Sequence, residues 1–197
     1  MKAFLQILGK TAVVIVVLLA LGTLFIYSGI YNVAATTGHT KPVEQIFRIT
    51  MMRSVAAHAR HITAPPGFDP RDRALLEQGA GHYEAMCRTC HGAPGKKPGP
   101  WQLYPPAPDL ADALRVMRWS NAEVYWIIKN GLKDTGMSAF GSSADDDELW
   151  ALTAFVRQLQ NITPEQYLEM TERAPMKAGP GHEGQAREAE PAQPHKH

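Results

Sequence analysis

Residues 87–91 read Cys-Arg-Thr-Cys-His and hold both cysteines of the 197-residue chain. Two thiols three positions apart, with a histidine directly after the second, admit three chemistries: a redox dithiol, half of a zinc site, or covalent attachment of a haem. The surrounding sequence has to decide among them.

Immediately before the motif, Asp72 to Cys87 read as a helix, with Leu75, Leu76, Gly79, Tyr83 and Met86 at helical spacing. Immediately after it, residues 92–109 are GAPGKKPGPWQLYPPAPD, a Pro-rich stretch unsuited to regular structure. A loop that long inside a compact domain is usually functional. Two more helices follow. Asn121 to Asn130 carries Val124, Trp126, Ile127 and Ile128, with Gly131 as its stop. The last begins in the acidic run Asp145–Glu148, which suits a positive helix N-terminus, and continues through Leu149, Leu152, Phe155, Val156 and Leu159. No strand pattern is convincing, so a small all-α domain over residues 71–163 is expected.

The N-terminal part is different. Residues 11–30, TAVVIVVLLALGTLFIYSGI, carry no charge. A helix of about 20 residues spans the roughly 30 Å of a bilayer's hydrocarbon core. Tyr27 and Tyr31 suit the interface at its far end, and Lys2 and Lys10 at the near end favour a cytoplasmic N-terminus. Lys41, Arg48 and Arg53 on the other side weaken that asymmetry. Cleavage as a signal peptide after Val33-Ala34-Ala35 is the alternative, but the apolar run exceeds the usual 7–15 residues. Both readings export the rest of the chain. We therefore expect residues 1–35 to be a membrane anchor contacting lipid through 11–30, in a bacterial inner membrane with the following domain in the periplasm.

Residues 36–70 hold an amphipathic helix and a linker. Thr40 is placed to cap the helix and Pro42 suits its first turn. Val43, Ile46, Phe47, Ile49 and Val55 give an apolar side, while Arg48, Arg53, Arg60 and His61 are polar. Such a helix either lies on a membrane, docks on a partner, or covers the globular domain. Residues 63–70, TAPPGFDP, are the linker. Residues 164–197 form a C-terminal extension that lacks apolar residues from about 179, where disorder is expected. Its His182, His195 and His197 read as a solvated tail. The whole chain has 20 Lys+Arg against 19 Asp+Glu, so no basic excess points to nucleic acid.

Within this setting a thioredoxin-type dithiol lacks its βαβ context. A structural zinc site lacks a second cysteine pair, and His91 would have to ligate beside Cys90 in awkward geometry. A disulfide across two intervening residues would cross-link almost nothing. Haem attachment uses every residue of the motif: Cys87 and Cys90 form thioethers, and His91 becomes an axial iron ligand. One covalent haem c is the expected cofactor, and it also gives a domain of fewer than 100 residues a large apolar body to fold around.

Among eight methionines, Met137 stands apart, in the glycine-bracketed loop Thr-Gly-Met-Ser-Ala-Phe-Gly between two helices. It is the candidate for the sixth iron ligand, where a thioether raises the reduction potential. Met86 reads as packing in its own helix, Met117 as core, Met170 and Met176 as parts of the weakly ordered end. His82, on the helix before the motif, is the main competitor and reads as a surface histidine. Trp119 has two readings, ordinary core packing or a place at the haem rim with its N–H toward a propionate; for Trp126 core packing is the better one. Lys96, Lys97, Arg115 and Arg118 lie in segments expected to border the haem, as a rim for an acidic partner or as solvated surface.

Residues 75–160 resemble a small class I cytochrome c domain. Gly79, Tyr83 and Cys87 repeat that family's glycine, aromatic and first-cysteine spacing, and Phe155 best matches the aromatic of its C-terminal helix, with Trp150 as a further packing candidate. The resemblance implies close crossing of those two helices at Gly79. It also implies that Ala107–Leu110, Ala-Pro-Asp-Leu, packs on the haem, with the Pro108 carbonyl accepting a hydrogen bond from His91, or Pro100 in another register. In the family's ligand loop proline commonly follows the methionine; here Ser138 stands there. The resemblance implies a membrane-tethered carrier of single electrons between redox protein partners, not an enzyme by itself. The alternatives are a cytochrome subunit of a larger membrane dehydrogenase or oxidase complex, and a ligand-binding haem sensor or peroxidase.

Overall fold

The computed structural model describes residues 2–100, 103–110 and 118–174. The chain forms two units, 1–38 and 39–197. Met117, Arg115, Met176 and the tail histidines lie outside the described residues.

The first unit is built on α1, Lys2–Tyr27, which buries none of its residues. The helix is long and apolar enough to cross a membrane. The hydroxyl of Thr23 is satisfied internally, because Thr23 Oγ1 donates to the Leu19 carbonyl at 2.8 Å.

The second unit is helical, and among the described residues it contains no strand, only a β-bridge between Ala93 and Lys96. Its elements are α2 (Lys41–Ala59), α3 (Arg73–Met86), α4 (Arg88–His91), α5 (Asn121–Asn130), α6 (Asp146–Gln158), a 3-10 turn (Leu159–Asn161) and α7 (Pro164–Arg173). The starts follow from capping. The Asp72 side chain accepts from the Ala74 and Leu75 amides at α3, and Ser120/Glu123, Asp145/Glu148 and Thr163/Gln166 form capping boxes at α5, α6 and α7. Thr40 sits at the N-cap of α2 but its hydroxyl makes no capping bond; Pro42 in the first turn fixes that start instead.

The centre of the unit is the crossing of α3 and α6. Leu149, Leu152 and Phe155 of α6 and Ala80 and Tyr83 of α3 are fully buried there. Burial of each large apolar side chain contributes about 1.5–3 kcal/mol. The crossing is close because α3 has no side chain at Gly79. A methyl there would stand 2.6 Å from Phe155 Cβ and would collide with the Ala151 carbonyl oxygen. On the other side of α6, Trp150 stacks on Tyr125 of α5, with ring centroids 4.3 Å apart, and meets the edge of Phe68 at 4.9 Å. The second half of α2 packs on α5 through Val55 and Ala59, both buried.

Helix α7, in the stretch that the sequence leaves outside the domain, packs against α3. Tyr167 is fully buried there, and Met170 is packed against the core. Its anchor is Glu84 of α3, which accepts from Tyr167 Oη at 2.5 Å and from Lys96 Nζ at 3.2 Å. Arg88 Nε lies 2.9 Å from the same carboxylate as an ion pair, without the alignment of a hydrogen bond. Burial alone would raise the Glu84 carboxyl, but the bonds from Tyr167 and Lys96 outweigh it and hold it below the usual carboxylate range. A carboxyl lowered by folding stabilises above its unfolded pKa, and that contribution disappears as pH falls through the folded value. Glu84→Gln should therefore flatten the acid limb of the stability profile below about pH 4.5 and cost about 1–2 kcal/mol at neutral pH. Denaturant unfolding of both proteins from pH 3 to 7 checks this; an unchanged acid limb would remove Glu84 from the account.

Candidate haem attachment site

The motif lies where α3 passes into α4. The Cys87 amide donates to the Tyr83 carbonyl at 2.9 Å, so α3 is still winding when it reaches the first thiol. The Cys87 carbonyl then accepts from the amides of Cys90 at 3.1 Å and His91 at 2.9 Å. Positions three and four apart on a helical turn share a side, so both thiols and the imidazole project together. Gly92, with φ of 68°, ends the turn. Tyr83 Oη donates to the Gly92 carbonyl at 2.8 Å, which ties that exit to the buried core.

Cys87 is buried, Cys90 is half-buried, and no disulfide joins them. Burial, with a smaller effect of Cys90, pushes the Cys87 thiol up to about 12. Redox dithiols work through a thiol lowered toward neutrality, and this one is moved the other way. Among the described residues no group of three or more His, Cys, Asp or Glu side chains gathers as a metal site, so a zinc ion would lack ligands.

His91 Nδ1 stands 2.8 Å from the Pro108 carbonyl oxygen. A carbonyl only accepts, so the proton sits on Nδ1 and the Nε2 lone pair is left available to a metal. Pro100 is exposed, and no hydrogen bond to it from His91 is seen. The loop that follows the motif is tied to it, since the Gly99 amide donates to the Thr89 carbonyl at 2.7 Å.

Met137 is half-buried in the return loop between α5 and α6. Its amide donates to Thr135 Oγ1 at 3.0 Å, Thr135 Oγ1 donates to the Leu132 carbonyl at 2.7 Å, and the Leu132 amide donates to the Met137 carbonyl at 3.2 Å. These bonds fix a loop that has Ser138 in place of the family's proline. Gly131 makes the return possible. Its φ is 66°, and a Cβ there would stand 2.6 Å from the Met137 carbonyl oxygen. The loop reaches the Pro-rich segment through Gly136, beside Leu103.

Trp119 is buried in the core cluster, and its carbonyl accepts from Arg157 Nη1 at 2.7 Å. Trp126 packs at the edge of the core and faces His58, with ring centroids 5.5 Å apart. His82 is half-buried, with Nε2 3.8 Å from Glu148 Oε1 at the start of α6. Lys96 is engaged with Glu84 and lies over the Tyr167 ring, so its part is internal, whereas Lys97 and Arg118 are exposed. Sequence pattern missed the Glu84, Lys96 and Tyr167 cluster behind the motif; a glutamate on the α3 face next to the first cysteine was its only trace.

The donor set fits a haem of the covalent kind: two unpaired thiols and one imidazole on a single helical face, the imidazole held by its Nδ1. A helical domain bearing Cys-x-x-Cys-His at the end of α3 has the form of a cytochrome c domain, and a domain of that kind implies haem c and electron transfer. Residues 74–156, from the start of α3 into the end of α6, match the family model described as cytochrome c oxidase, cbb3-type, subunit III. No curated protein and no solved structure matches the chain.

Proposed function

We propose that the chain is a membrane-tethered, periplasmic carrier of single electrons with one covalent haem held between His91 and Met137. The haem, when bound, supplies an iron that takes up and releases one electron. The rest is the work of the chain. Cys87 and Cys90 would hold the group covalently through their two sulfurs. His91 offers Nε2 because Pro108 holds the proton on Nδ1. Met137 offers a thioether from a loop fixed by Thr135 and Gly131, which favours the reduced state. Were His91 and Met137 both to hold the iron, the chain would leave it no position for a substrate. The proton-bearing Nδ1 at 2.8 Å from the Pro108 carbonyl is the observation that carries this reading. Anchoring by α1 would keep the carrier near its redox partners and raise its effective concentration there.

A second reading shares the chemistry and differs in company. The matched family is that of an oxidase subunit, which favours a place in a respiratory oxidase complex over free shuttling. Extraction in mild detergent and identification of co-purifying chains separates the two.

Both readings need a filled sixth position. The reduced wild type should resist carbon monoxide, and Met137→Ala should bind it at once, with a spectral shift at the Soret band. A wild type that binds carbon monoxide without delay would replace carriage with ligand sensing or peroxide chemistry.

A further inference from the structure

Helix α2 buries only one of its sides, and only over its second half. Val55 and Ala59 are in the core, and Met51 and Met52 pack against it. The opposite side runs through Ile46, Ile49, Arg53 and Arg60 at helical spacing. Ile46 is 64% exposed and Ile49 47%, and beside them Phe47 is 51% exposed, its ring stacked on His39 at 5.3 Å. Ile46 and Ile49 therefore present apolar surface to the outside, whereas Phe47 is partly covered by His39. Lys41, Arg48, Arg53 and Arg60 stand against Glu44 alone over residues 41–60, so the helix is basic. It also starts close after the membrane-length helix. Only residues 28–40 separate Tyr27 from Lys41, a stretch that extends at most about 45 Å.

We propose that the outer face of α2 is a docking surface for an anionic bilayer, with Ile46 and Ile49 entering the headgroup boundary and Arg53 and Arg60 on the same face meeting lipid phosphates. An apolar stripe with flanking cations is the composition that binds such an interface, and the short tether holds it within reach. Because the second half of α2 is packed on α5, and α5 leads directly into the Met137 loop, seating α2 fixes how the domain presents that loop above the membrane. The inference rests on α1 being a retained anchor.

The test uses the full-length holoprotein in vesicles. With Cys87 and Cys90 held in thioethers, Ile46→Cys offers one reactive thiol for a nitroxide label. Collision of the label with oxygen and with a water-soluble nickel complex is read by power saturation. In vesicles containing phosphatidylglycerol the oxygen-to-nickel ratio at position 46 should rise several-fold over its value in phosphatidylcholine alone. The rise should vanish in high salt or on adding Arg53→Glu and Arg60→Glu. A label on Glu169→Cys, exposed on α7, should read as water throughout. A position-46 label that reads as water in both lipids overturns the proposal. So does shielding that ignores lipid charge and grows with protein density, which would assign the face to a second chain. A label on Val17→Cys keeps the anchor separate: if it also reads as water, the anchor has failed and the docking falls with it; if it reads as lipid while position 46 does not, the docking alone is wrong.

Discussion

With Cys87 and Cys90 both replaced by alanine, the expressed chain should carry no haem through denaturation. Each single replacement leaves one thioether and should lower the yield of coloured protein sharply, and the double replacement should abolish it. The reason is local. Cys87 ends α3, Cys90 lies within α4, and the carbonyl of the first accepts the amide of the second at 3.1 Å, so both sulfurs leave one turn on one side. Alanine at either position keeps that turn and removes only the sulfur. Haem staining of denaturing gels, beside immunodetection of the same band, reads the result. A double variant that still stains would place the attachment elsewhere or deny it.

The second large effect is expected at Gly79. Valine there must fit two branched carbons where even one carbon would collide with the Ala151 carbonyl and stand 2.6 Å from Phe155 Cβ. Backbone on one side and a fully buried ring on the other leave nothing to move cheaply, so α3 and α6 must separate. Their interface buries Tyr83, Leu149, Leu152 and Phe155, and its loss should cost about 3 kcal/mol or more. Ala85→Val, at an exposed position of the same helix, should cost only about 0.5 kcal/mol through helix propensity. Denaturant unfolding of both variants distinguishes the crossing from the propensity. Equal losses would mean that the close approach at Gly79 contributes nothing.

Much of this arrangement is legible in the chain because its causes are local. Asp72, Ser120 and Asp145 cap helices through side chains acting two or three residues on, and Gly131 stops α5 with a positive φ. The α3 and α6 cores are periodic. Gly79 is legible through its spacing to Tyr83 and Cys87, which resembles a known domain, rather than through hydrophobic pattern. What the sequence hides is long-range or energetically balanced. Helix α7 has few apolar residues, and what seats it is a hydrogen bond from Tyr167 to a carboxylate 83 residues earlier. The approach of His82 Nε2 to within 3.8 Å of Glu148 Oε1 also joins two separate helices. The contact of His91 with Pro108 joins residues 17 apart in the chain, so only the resemblance pointed to it. Thr40 shows the reverse: the right residue stands at the cap position, yet its hydroxyl makes no capping bond.

The central claim is that one haem is covalently joined to this chain at Cys87 and Cys90. The intact mass of the protein purified from its native membrane, taken under denaturing conditions, tests it most directly. The account predicts the mass of the chain plus one haem, with the addition confined to the proteolytic fragment that contains residues 87–91. The unadorned chain mass, or that mass less two hydrogens from a Cys87–Cys90 disulfide, would contradict it.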